Sequence, residues 1–201
     1  MQVEYFFDCS SPWTYLSYTR IEKICEENET PLVWKPFLVG GVFNTINPSV
    51  YANREKPVPV KARYYAKDLL DWARYQGINI GSPEVFPVNS VKAMRGCFVA
   101  EESGVISEYI AAVFHAYWTE LKDISQDEVL TDIVSSVGLQ TAPFFEKIAD
   151  PHYKEKLRAN TDELIARGGF GSPTIFVGGD DMYFGNDRLV LVEHQLRQQH
   201  K

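Results

Sequence analysis

Residues 5–16 read Tyr-Phe-Phe-Asp-Cys-Ser-Ser-Pro-Trp-Thr-Tyr-Leu, and no other stretch restricts the fold as tightly. Residues 2–8 are rich in β-branched and aromatic types and are apolar enough on both faces to predict a central strand. Ser11-Pro12 then opens a helix, because serine is a good cap and proline's missing N–H costs nothing at the first helical position. Tyr15, Leu16, Thr19, Ile21, Ile24 and Cys25 carry that helix to about Asn28, and Pro31–Phe37 reads as a second short strand. Strand, helix and parallel strand make a right-handed crossover. The start of its helix gathers free backbone N–H groups and the positive end of the helix dipole, so an anion is stabilised there.

From Leu38 to Pro59 the pattern breaks at Gly40-Gly41, Asn44, Asn47-Pro48 and Lys56-Pro57-Val58-Pro59. A long loop is expected here, forming a wall over a ligand site. The middle of the chain reads as helical throughout, with segments near 61–76, 89–103, 107–121, 126–137, 141–148 and 151–167. Asp150 is a good cap for the last of these. After Gly168-Gly169 the strand period returns at Thr174–Val177, followed by a Gly178-Gly179 hairpin turn and Met182–Phe184. A final helix starts near Asn186 and runs to the charged C-terminus. An opening βαβ unit and a closing ββα unit imply an α/β, thioredoxin-like fold interrupted by an all-helical insertion domain. The expected division is a discontinuous domain of residues 1–58 and 168–201, and an insertion of residues 59–167.

A net charge of −7 with scattered basic residues argues against a nucleic-acid partner. Three cysteines, at 9, 25 and 97, form neither Cys-x-x-Cys nor a zinc pattern, and their odd number does not suggest a disulfide framework. His115 has no cysteine or carboxylate at ligand spacing, and His194 and His200 read as tail residues, so no metal is expected. The N-terminus begins at once with a strand pattern, and no apolar run reaches the roughly 20 residues of a membrane span. These observations predict a cytoplasmic protein without a membrane partner.

Several runs, in this order, carry a resemblance. They are Ser11-Pro12-Trp13-Thr14, Asn53 with Lys61, Phe86-Pro87-Val88-Asn89 leading to Ala93-Met94-Arg95, His115-Ala116-Tyr117-Trp118, Gly171-Ser172-Pro173-Thr174, and Phe184-Gly185-Asn186-Asp187-Arg188-Leu189. Over nearly its whole length the chain resembles the 2-hydroxychromene-2-carboxylate isomerase and kappa-class glutathione transferase family, related to DsbA-like disulfide oxidoreductases. Those oxidoreductases carry Cys-x-x-Cys at the helix start, where the thiol pKa is lowered. Here both cysteine positions hold hydroxyls, Ser11 and Thr14, so a reacting thiol must come from a ligand.

The resemblance implies glutathione as cofactor and Ser11 as the catalytic residue, its hydroxyl hydrogen-bonding the glutathione sulfur and favouring the thiolate. Pro173 would be cis, and Ser172 would pair with the ligand's cysteinyl backbone. Asp187 would take the γ-glutamyl ammonium, with the Asn186 or Asp187 backbone N–H at its carboxylate. Lys61 and Asn53 join this set, Lys61 at the glycyl carboxylate and Asn53 toward the substrate. The family's usual Gly-Asn-x-Pro-Pro reads here Ala52-Asn53-Arg54-Glu55-Lys56-Pro57.

Asn89 reads either as a helix cap or as a substrate contact. Trp13, Phe43, Trp72 and Trp118 read either as core or as walls of a pocket for an aromatic substrate, Trp13 and Phe43 being the candidates for substrate contact. Cys9 is either a buried, inert thiol or a partner for a mixed disulfide with glutathione. The implied reaction has the thiolate add to a conjugated aromatic hemiketal-acid, opening the ring, and leave after a bond rotation to give the trans-benzylidenepyruvate. A kappa-like transferase or peroxidase, and a non-catalytic glutathione-binding domain, are the alternatives; a homodimer is the expected assembly.

Overall fold

The computed structural model describes residues 1–198; the end of the last expected helix and His200 lie outside them. The elements in chain order are β1 (Val3–Phe7), α1 (Pro12–Glu27), β2 (Leu32–Pro36), α2 (Val39–Thr45), α3 (Ser49–Glu55) and α4 (Pro59–Gln76). Then come α5 (Val91–Glu102), α6 (Ile106–Phe114) running into a π-helical turn (His115–Thr119), α7 (Asp127–Ser136), α8 (Thr141–Ala149) and α9 (Pro151–Ala166). β3 (Thr174–Val177), β4 (Asp181–Phe184), a 3₁₀ turn (Asn186–Arg188) and α10 (Leu189–Gln198) follow.

The sheet order is β2-β1-β3-β4, with β1 parallel to β2 and antiparallel to β3. β1 is thus interior, as its two apolar faces require. Val3, Tyr5 and Phe7 join the larger core with residues of α1, α5, α6 and α10. Phe6 points the other way, to Phe37, Val42, Phe176 and Leu164 of α9. Each such fully buried aromatic contributes about 2–3 kcal/mol. Beside Phe6, the Arg167 guanidinium lies 3.7 Å from the Phe176 ring centroid and pairs with Glu4 at 2.8 Å and Glu163 at 2.9 Å. These contacts close the edge of the second core.

Residues 38–59 differ from the expected loop, for they form α2 and α3. The first turn of α2 has no capping side chain of its own. Its N–H groups are taken from far away: Thr161 Oγ1 accepts from Leu38 N–H at 3.1 Å and Asp8 Oδ2 from Val39 N–H at 2.9 Å. We propose the division into 1–58 with 168–201 and 59–167 as a description of chain order, since α9 packs directly on the sheet. Close packing also fixes Gly96 on α5, where a Cβ would meet the Tyr109 hydroxyl at 2.2 Å. No helix among the described residues is long and apolar enough to cross a membrane.

Candidate active site

β1 ends at the N-terminus of α1, and the turn between them, Asp8 to Ser11, is buried. Ser11 has extended backbone and caps α1, its Oγ accepting from Thr14 N–H at 3.3 Å, with Pro12 in the first turn. The same hydroxyl donates to the Ser172 carbonyl at 3.0 Å, and Thr14 Oγ1 lies 2.7 Å from Ser172 Oγ. Both hydroxyls that stand at the disulfide motif's cysteine positions therefore converge on Ser172. The Ser172–Pro173 peptide is cis, as expected, and so is Phe86–Pro87.

Asp8 organises this turn, and the reading of the sequence passed over it. At 1% exposure, its N–H donates to Ser172 Oγ at 2.9 Å and its carbonyl accepts from Ser11 N–H at 3.1 Å. Oδ1 accepts from Ser10 N–H and Oδ2 from Val39 N–H, both at 2.9 Å. Burial pushes its carboxyl above the ordinary 3.8, with hydrogen bonds from Ser10, Val39 and Ser90 pulling the other way. The available signal was an acid closing an apolar strand just before a helix cap.

Two adjoining cavities open on either side of Ser172. The larger, about 800 Å³, is walled by α3, α4 and the Gly185–Arg188 segment. Its charged side chains are Arg54, Lys61, Asp68, Asp187 and Arg188. The smaller, about 540 Å³, lies over Ser10 and Ser11 and is lined mainly by apolar and aromatic side chains from α2, α3, the Phe86–Val91 segment and Phe170. Trp13, Val50, Arg54, Ser172 and Phe184 belong to both walls. Gly171 lets Phe184 approach, since a Cβ there would meet its ring at 2.7 Å.

Both the sequence and the fold of this chain have counterparts in known proteins. A family model described as the DSBA-like thioredoxin domain matches residues 2–197. The chain belongs to the DsbA-like thioredoxin family. Within that family it is 32% identical to a 2-hydroxychromene-2-carboxylate isomerase from Pseudomonas putida, over 96% of this chain and 93% of the relative. It is also 28% identical to glutathione S-transferase kappa 2 from Caenorhabditis elegans, over 94% and 89% respectively. A solved structure of a 2-hydroxychromene-2-carboxylate isomerase superposes with a TM-score of 0.85 at 27% identity, covering 99% of this chain and 96% of that one. The isomerase and kappa-transferase branch read from the motifs is therefore the branch found.

The family motifs fall together in space. Asn53, Lys61, Asn186 and Asp187 line the larger cavity, Ser11, Phe43 and Asn89 the smaller, and Trp13 and Ser172 both. Pro173 lines neither. Asn186 is 4% exposed, and its Nδ2 has no hydrogen-bond partner among the described residues. Asp187 pairs with Arg188. Asn89 Oδ1 accepts from Val91 N–H at 3.2 Å across Ser90, which holds the cap position of α5, and Asn89 also lines the chamber.

Of the tryptophans, Trp13 and Trp72 line cavity walls and Trp118 is core. The π-helical turn aims Trp118 Nε1 at the Cys9 carbonyl, 2.9 Å away, and Tyr117 Oη at the Val85 carbonyl, 2.8 Å away. Both flanks of the chamber are braced from one helix end. Cys9 itself is buried, lines neither cavity, and burial holds its thiol well above the ordinary range. This environment favours the inert reading over a mixed disulfide.

Proposed function

We propose that this chain is a glutathione-dependent isomerase of aromatic hydroxychromene-carboxylate substrates, converting 2-hydroxychromene-2-carboxylate to trans-o-hydroxybenzylidenepyruvate. The carrying observation is the Ser11 hydroxyl, at a helix N-terminus on the wall of the aromatic cavity and hydrogen-bonded to Ser172, which also faces the mixed-charge cavity. The residues present fit glutathione, whose charged ends are two carboxylates and one ammonium. The larger cavity offers both signs of charge, and the buried Asn186 amide is a donor still to be satisfied. Lys61, free of any carboxylate among the described residues, would hold the glycyl end, with Asn53 on the same wall. Asp187 would hold the γ-glutamyl ammonium.

Bound glutathione supplies a thiolate that serves as both nucleophile and leaving group. The work of the chain is to hold that charge. In the free protein the Ser11 hydroxyl is spent on the Ser172 carbonyl. The Ser172 carbonyl would also accept a ligand backbone N–H, and Ser11, turned from that carbonyl, would donate to the sulfur, with the α1 dipole adding to the same stabilisation. Trp13, Phe43 and Asn89 would position the aromatic substrate, and the apolar wall keeps water from the ring-opened form.

The test is conversion of 2-hydroxychromene-2-carboxylate with glutathione kept well below substrate. Many turnovers with glutathione recovered unchanged are the expected result. Glutathione consumed stoichiometrically into a conjugate would instead indicate a kappa-like transferase, and binding without turnover a non-catalytic domain.

We propose a cytoplasmic homodimer as the working form. The homodimer is supported by α4, which buries only Ala73 and presents Tyr64, Leu70 and Tyr75 to solvent, Tyr75 at 79% exposure. Sedimentation of the wild type is expected to give the mass of two chains, and Leu70→Glu with Tyr75→Glu to give one. A monomeric wild type would overturn this.

A further inference from the structure

We infer that Arg54 is the specificity-determining anchor for an acid group on the aromatic substrate. This rests on the proposed reading of the smaller cavity as the substrate chamber. Among the described residues on that chamber's wall, Asp8 and Arg54 are the only charged side chains. Asp8 is committed, each carboxylate oxygen accepting a backbone N–H. Arg54 is uncommitted.

Its guanidinium carbon lies 5.7 Å from the Phe43 ring centroid and 5.3 Å from that of Phe86, tying α3 to α2 and to the Phe86–Val91 wall. Among the described residues it has no hydrogen bond and no carboxylate partner; Arg20, Arg63 and Arg95 also lack a carboxylate, but of these only Arg54 lines the chamber. Ring faces engage a guanidinium through its plane and leave its N–H donors, which point outward in that plane, for a planar anion. A carboxylate matches that fork in two parallel hydrogen bonds. The chamber thus combines aromatic walls with a single available cation, the complement of an aromatic carboxylate. Neutral aromatics of the same shape gain the walls and not the anchor.

The experiment is calorimetric titration near neutral pH with trans-2-hydroxycinnamate and, separately, its neutral amide. Wild type is expected to prefer the acid by about tenfold, the size of one charge-assisted contact that is part-exposed. Arg54→Gln is expected to erase that preference while leaving the amide within about twofold, and Arg54→Lys to restore part of it. An acid preference that survives Arg54→Gln would overturn the inference, as would a wild type that binds neither probe or binds both equally.

Arg54 also borders the larger cavity, so glutathione is titrated into the same proteins. Unchanged glutathione affinity supports the assignment; a loss confined to glutathione gives Arg54 to that cavity instead and overturns it. If wild type binds no glutathione yet keeps the acid preference, the proposed isomerase function fails and the anchor stands. Arg54 is exposed on α3, and an unchanged circular dichroism spectrum checks that the variants are folded.

Discussion

Ser11→Ala is expected to raise the pKa of bound glutathione's thiol by about 1–2 units and to lower turnover roughly 10- to 100-fold, the equivalent of one charge-assisted hydrogen bond. The reason is local. Ser11 is 9% exposed, lies at the α1 N-terminus and borders the chamber, so its hydroxyl is a fixed donor at the place where the helix dipole is most positive. The same substitution removes the α1 cap from Thr14 N–H, which costs about 1 kcal/mol of stability. The two losses separate cleanly. Cap loss moves the urea midpoint and leaves the ligand's titration alone, whereas loss of the donor moves the ultraviolet thiolate band with pH. Ser11→Thr keeps both a hydroxyl and a cap and should recover most of the shift. A bound thiol that titrates identically in wild type and Ser11→Ala would remove Ser11 from the chemistry.

Asp8→Ala is expected to cost about 2–4 kcal/mol, because a buried N–H on Ser10 and a half-buried one on Val39 lose their acceptor together. For a chain of this length that lowers Tm by roughly 5–12 °C. Activity should fall further than stability explains, since the Asp8 side chain holds the Ser10 N–H next to Ser11 and fastens α2 over the chamber.

The pH dependence carries a sign. Burial raises the native Asp8 pKa above its ordinary 3.8, so the folded protein binds that proton more tightly than the unfolded chain. The stabilisation from this site is complete below 3.8 and is lost as pH climbs through the higher native value. Asp8→Asn cannot ionise. Its stability deficit against wild type, read from urea midpoints, should be largest in acid and narrow toward neutrality. A deficit that widens with pH would mean that the hydrogen bonds to the carboxylate outweigh its burial.

Much of this site was legible because its signals are local. Ser11-Pro12 announces a helix start, Gly171-Ser172-Pro173 announces a turn into a strand, and a βαβ opening with a ββα close requires the two to meet. What escaped was set by distant partners. α2 contains Gly40-Gly41 and no capping residue, so nothing nearby marks it as a helix; Asp8 and Thr161 supply its caps from 31 and 123 residues away. The π-helical turn at His115–Thr119 was read as plain helix to Leu121; instead it buries the consecutive Ala116, Tyr117 and Trp118, and Leu121 beyond it is exposed at positive φ, a change that no helical period in the sequence marks. Arg54 passed unnoticed inside a proline-rich run, where its role depends on two rings, at positions 43 and 86, that the sequence places in separate elements.

The wall common to the two cavities has a thermodynamic consequence. Trp13, Val50, Arg54, Ser172 and Phe184 face both spaces, so a molecule seated in one changes a surface of the other. Binding free energies in such an arrangement do not add independently. Whatever factor one occupant lends to its neighbour's affinity, the neighbour must return in equal measure.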